Sequence, residues 1–162
     1  MADASTSQGR SPSERLRVLA VASGGGHWLQ LLRVTEGLQD HDLAFATVDP
    51  SYAHDVPGCR LHVISDATRW NRLLLLKLLF EVAWIVLRER PRVVISTGAA
   101  PGLLALFCGR LAGARTIWVD SIANVEEMSL SGRQARRFAH LWLSQWPEVA
   151  AAAGARFEGS VL

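Results

Sequence analysis

The chain has 162 residues, 49% of them hydrophobic and 20% charged. With mean hydropathy +0.16 and a mass of 17.7 kDa, that excludes a disordered tail, a collagen-like repeat and a coiled coil, and is enough chain for one domain with its own core. A net charge of only +2 gives no sign of a nucleic-acid partner.

Residues 1–15 are polar, small and rich in Ser, Pro and Gly, without the apolar stretch of a secretory signal. They are expected to be a disordered leader, which leaves 16–162 as a single domain. Cys59 and Cys108 have neither metal nor redox spacing, which fits a reducing compartment. His41, His54 and His62 likewise lack partners at metal-ligand spacing.

From Arg17 onward, short apolar runs alternate with helical patterns. RVLAVA (17–22) reads as a buried strand, and SGGG leads into a helix from about His27 to Gln39. LAFATV (43–48) and RLHVIS (60–65) read as strands, followed by a long apolar helix from about Asn71 to Glu89. Pro91 stops that helix, and RVVIS (92–96) is the next strand. A helix is expected after Pro101, then strands at RTIWVD (115–120) and HLWLS (140–144). Strands apolar throughout belong to sheets covered on both faces, and their alternation with helices predicts parallel pairing. The expected fold is α/β: a Rossmann-like parallel sheet with helices on both faces. Such sheets bind ligands beyond the carboxyl ends of their strands.

Three of those ends carry unusual residues. Ser23-Gly24-Gly25-Gly26-His27 joins a strand to a helix, where glycines allow close backbone approach and the helix amides face an anion. The loop is neither a Walker loop nor GxGxxG, because Leu29 takes the third glycine's place. His27 adds an imidazole that can serve as a base or phosphate donor. Ser96-Thr97-Gly98-Ala99-Ala100-Pro101-Gly102 is a second loop of small residues suited to a phosphate or a sugar hydroxyl. Asp120, with Ser121 and Asn124 behind it, ends a further strand. A carboxylate there can orient a histidine or hold a hydroxyl; it can equally cap a helix or form a turn.

Between Leu73 and Leu87 only Lys77 and Glu81 interrupt an apolar run. At 1.5 Å per residue the run reaches only about 22 Å, short of the roughly 30 Å hydrocarbon core. It is too greasy for a crossover helix that buries one face. Arg69, Arg72, Arg88 and Arg90 flank it, with Trp70 and Trp84 near its ends. These features suit burial against the sheet or contact with an anionic membrane surface, with Leu75 and Leu79 on the lipid-facing side. Arg133, Arg136 and Arg137 form a basic cluster that is either phosphate-facing or solvated.

Taken in order, VASGGGHWLQLL, VVISTGAAPG, IWVDSIANVEEMSLSGR, LSQWPEVA and FEGSVL resemble the ALG14-like oligosaccharide-biosynthesis family, in its bacterial PssD-like form. The resemblance spans about Arg17 to Leu162. It implies the N-terminal, acceptor-binding half of a GT-B glycosyltransferase, at the cytoplasmic face of the inner membrane. A separate small PssE-like subunit would supply the donor half. The implied reaction is inverting transfer, without a metal or further cofactor, from a UDP-sugar (N-acetylglucosamine or glucuronic acid type) to a polyprenyl-pyrophosphate-linked glycan. The resemblance casts His27 as base or diphosphate contact. It has Gly24, Gly25 and Gly26 shaping the loop, and Ser96, Thr97 and Gly98 bordering the acceptor. Asp120 stands where the family usually has glutamate, and Asn124 where a basic residue is expected. Two other classes stay open: a non-catalytic membrane adaptor that activates its partner, and a fragment of a nucleotide-binding oxidoreductase or epimerase.

Overall fold

In the computed structural model the described residues are 15–67 and 71–161. The leader apart from Arg15, together with Arg69, Trp70 and Leu162, lies outside them. In chain order the elements are β1 (Arg17–Val21), α1 (Gly26–Glu36), β2 (Asp42–Thr47), a 3-10 turn (Pro50–His54), β3 (Arg60–Val63) and α2 (Arg72–Glu89). Then come β4 (Val93–Ser96), α3 (Ala99–Leu111), β5 (Arg115–Val119), α4 (Leu130–Ala135), β6 (Leu141–Leu143) and α5 (Pro147–Ala153). The strands lie in the order β3-β2-β1-β4-β5-β6, and every pairing is parallel. Past β6, Arg156 adds a parallel bridge to Leu143.

Alternation along the strands divides the core into two layers. Val18, Ala20 and Phe45 pack with Trp28 and Leu31 of α1, whereas Leu19, Val21 and Val94 pack with α2 and α3. The sheet is therefore covered on both faces, as its apolar strands require. This is the Rossmann-like fold, and its topological switch point falls between β1 and β4.

Two boundaries follow from local chemistry. Asn71 caps α2 by accepting a hydrogen bond from the Leu74 amide (3.0 Å), and Arg90 closes it in the left-handed conformation (φ 46°) just before Pro91. Helix α3 begins at Ala99, two residues ahead of Pro101. A first-turn proline lacks only an amide that has no helical partner, so the helix can start before it.

Helix α2 is covered on one side only. Leu78, Val82, Ile85 and Val86 are buried, while Leu73 (82% exposed), Leu76, Phe80 (67%), Trp84 and Leu87 (68%) are not. The expected burial against the sheet thus holds for one face, and the other face is left open. Leu75 and Leu79, however, pack against the core and are not on the outer side. Glu81 turns inward to accept from the amide and hydroxyl of Ser65 (2.8 and 2.9 Å). Buried Glu89 takes Arg60 and His62 (2.9 and 2.8 Å). No helix among the described residues is long and apolar enough to cross a membrane.

Candidate functional site

The glycine loop is fastened from outside. Gly25 takes φ 63°, a conformation open to glycine, and its amide donates to the Tyr52 hydroxyl (2.9 Å). Tyr52 stacks flat on Trp28, with centroids 4.9 Å apart, and the Trp28 indole donates to Asp55 (2.8 Å). No side chain caps α1, which begins at Gly26. Ser23 stands further back, its carbonyl accepting from the Thr47 hydroxyl (3.2 Å).

The β4–α3 loop holds His27. Thr97 accepts from His27 Nδ1 through its carbonyl (3.0 Å) and donates its hydroxyl to the His27 carbonyl (2.6 Å). A carbonyl only accepts, so Nδ1 carries a proton, and in the neutral ring the lone pair is then on Nε2. Gly98 lies against the ring, its φ of 143° again in glycine's range. Ser96 is fully buried, accepts from the Gly98 amide (3.2 Å) and packs beneath Gly102. Ser96 and Thr97 thus support the histidine from behind rather than bordering open space.

Asp120 is 1% exposed and has four donors on its carboxylate. They are the Trp118 indole (3.0 Å), the Asn124 amide group (3.1 Å), and the backbone amide and hydroxyl of Ser129 (2.8 and 2.6 Å). Gly132 packs directly on one carboxylate oxygen. All four bonds serve its own strand and the loop to α4, and none reaches His27. The geometry makes Asp120 the anchor that shapes this wall.

The three loops enclose a cleft of about 390 Å³, lined among others by His27, Ala99, Ser121, Asn124, Ser129 and Ser131. His27 and Ala99, on opposite sides of the switch point, come together there with residues from beyond β5. Ala99 holds φ 63° without being a glycine, so the backbone is strained at the wall itself. A small cleft that sets one imidazole, one amide and three serine hydroxyls among alanines can orient a hydroxyl-rich ligand and accept a proton from it. Among the described residues no three His, Cys, Asp or Glu side chains cluster to hold a metal. The basic cluster is dispersed: Arg133 pairs with Glu127 (2.9 Å), and Arg136 lies over the Trp142 ring (5.5 Å).

No protein-family model matches the chain. A mouse protein, the UDP-N-acetylglucosamine transferase subunit ALG14, is 30% identical over 174 aligned positions, which cover 86% of this chain and 79% of the relative. The chain belongs to the ALG14 family. The human ALG14 subunit is 27% identical over 86% of this chain and 79% of its own length. Among solved structures, MurG of Acinetobacter baumannii superposes with TM-score 0.67 at 17% identity, covering 82% of this chain and 42% of MurG. The UDP-GlcNAc 2-epimerase of Neisseria meningitidis gives TM-score 0.68 at 9% identity, covering 89% of this chain and 46% of the epimerase. At these identities the likeness is one of fold. This ALG14-family chain spans less than half of each of those two proteins.

Sequence reasoning passed over several residues that build the site. Tyr52 is the chain's single tyrosine and lies in no motif. Ser129 and Ser131 stand in SLSGR, where a serine at a helix start signals a cap; Ser129 caps α4 by accepting from the amide of Gly132, its third residue (2.8 Å). Gln30 and Gln145 carried no signal, since a buried amide looks like any polar residue in a helix or loop.

Proposed function

We propose that this chain is the acceptor-binding, membrane-associating subunit of a two-component inverting glycosyltransferase. The pair moves a sugar, of N-acetylglucosamine or glucuronic acid type, from a UDP-sugar to a polyprenyl-pyrophosphate-linked glycan used in cell-surface polysaccharide synthesis. One observation carries the reading: in an ALG14-family chain, His27, its Nδ1 held by the Thr97 carbonyl, lines the cleft at the switch point. The names of the curated relatives supply the reaction class, and a span of less than half of MurG fits a chain that needs a second half.

In the mechanism, an acceptor hydroxyl in the cleft gives its proton to His27 Nε2 as its oxygen attacks the anomeric carbon. The new glycosidic bond forms as the bond to UDP breaks, and the diphosphate takes the electron pair. Thr97 fixes the tautomer, while Ser121 and Asn124 stand where sugar hydroxyls would be held. Gly24, Gly25 and Gly26 bring backbone amides towards the diphosphate. The partner, a PssE-like donor-binding subunit, holds the nucleotide. The outer face of α2 rests on the cytoplasmic face of the inner membrane, keeping the lipid-linked acceptor close. Arg72, Lys77 and Arg88 beside that face suit anionic headgroups.

The test is UDP release with a polyprenyl-pyrophosphate glycan, measured for each chain alone and for the two co-expressed. Release by the pair only is expected, falling at least a hundredfold with His27→Ala. Full activity of the His27→Ala pair would show that this chain is an adaptor and that its partner holds all the chemistry.

A further inference from the structure

Two of the segments that carry the family resemblance, LSQWPEVA and FEGSVL, have no part in the cleft, yet they touch each other. The amide of Val161 donates to Gln145 Oε1 (2.9 Å). From there a chain of buried amides leads inward. Gln145 Nε2 donates to Gln30 Oε1 (2.7 Å) and to the Asp120 carbonyl (2.9 Å). Gln30 Oε1 also accepts from the Ile122 amide (3.0 Å), and its Nε2 donates to the Gly26 carbonyl and the Ser121 hydroxyl, both at 3.2 Å. We infer that Gln145 is a positioning residue through which the segment 157–161 sets the walls of the cleft.

The accounting explains why. Gln30 and Gln145 are 7% and 3% exposed, and all four of their amide hydrogens are in use. Water cannot replace a lost partner at such depth, so loosening one joint leaves its neighbours unsatisfied. The ends of the chain are backbone and side-chain groups of three separate segments. Two of these carry cleft residues: His27 follows Gly26, and Ser121 lies between Asp120 and Ile122. Trp146, next to Gln145, adds a second tether by donating to the Ile122 carbonyl (2.7 Å). The outer end is accessible: Phe157 is 44% exposed, and 158–160 are exposed too. A protein that grips this segment therefore pulls on the cleft. That last step rests on the two-component reading; the coupling itself does not.

Hydrogen–deuterium exchange on the full chain tests it, with Val161→Pro and Gln145→Glu. The first removes only the outer donor, on an accessible segment. The second keeps the acceptor for Val161 but sets an oxygen against Gln30 Oε1 and the Asp120 carbonyl. Exchange of the Ile122 and Leu29 amides is expected to rise about tenfold in both, with Phe45 in β2 unchanged. If Val161→Pro speeds only residues 157–161, or speeds Phe45 equally, the coupling is wrong. Should Gln145→Glu fail to fold, Val161→Pro still decides. In the active pair, Val161→Pro is expected to raise the acceptor KM about fivefold and leave kcat within twofold; an unchanged KM would overturn the inference. A wild-type pair that releases no UDP would instead count against the transferase reading and leave the exchange result standing.

Discussion

The ring of His27 lies so close to Gly98 that a β-carbon on Gly98 would stand 2.5 Å from two of its atoms. No real side chain tolerates that approach, and φ 143° adds strain for any L-residue. Gly98→Ala must therefore swing the imidazole off the Thr97 carbonyl. UDP release by the pair is expected to fall at least tenfold, with a loss of about 1–3 kcal/mol in stability measured by urea unfolding. Wild-type kinetics in this variant would show that the ring's present position is not the working one.

Asp120→Asn puts an NH2 group where two of the four donors now point. It is expected to cost about 2–4 kcal/mol in denaturant unfolding, because buried donors lose a charged acceptor. Asp120→Glu restores the charge but has no room beside Gly132. It should also destabilise.

The two faces of α2 allow the proposed membrane contact to be tested apart from folding. Leu73→Glu with Phe80→Glu changes exposed positions and should release the chain from anionic vesicles while leaving its melting temperature within a few degrees. Leu78→Ala, at a position with 0% exposure, should cost about 2–4 kcal/mol and leave vesicle binding at native temperature intact. Flotation and circular dichroism on both variants check this. Vesicle binding that survives the double glutamate variant would place the lipid contact elsewhere.

Cys59 is half-buried, whereas Cys108 is 8% exposed and its thiol is pushed up by burial. The thiolate is the reactive form. A thiol reagent at mild alkaline pH should therefore label Cys59 within minutes and Cys108 only as the protein unfolds, as mass spectrometry of the labelled peptides would show. Equal labelling rates would mean that the α2–α3 contact opens readily.

Strand-by-strand, the fold was legible because burial on both faces leaves a mark that survives in one sequence. RVLAVA and RVVIS are apolar without alternation, and the sheet uses them that way. The start of α3 moved to Ala99, since strain at a single φ leaves no trace in hydropathy. At the site, the glycines and His27 were visible because loops at strand ends concentrate unusual residues. What Asp120 does was not visible: a carboxylate that faces a ligand and one that ties a loop have the same spacing to the strand. The pairs Thr97–His27 and Val161–Gln145 were hidden for another reason. The first joins residues seventy apart that the β1–β4 pairing brings together, and the second depends on how the chain folds back after β6.

Tyr52 has a consequence for binding thermodynamics. Its hydroxyl already occupies the Gly25 amide, so the most permissive stretch of the backbone is ordered when the protein folds and not when a ligand arrives. An anion bound there, as proposed, would meet the amides that follow Gly25 on a scaffold that loses little further conformational freedom, and its affinity would be spared the entropic penalty that a loose glycine-rich loop imposes.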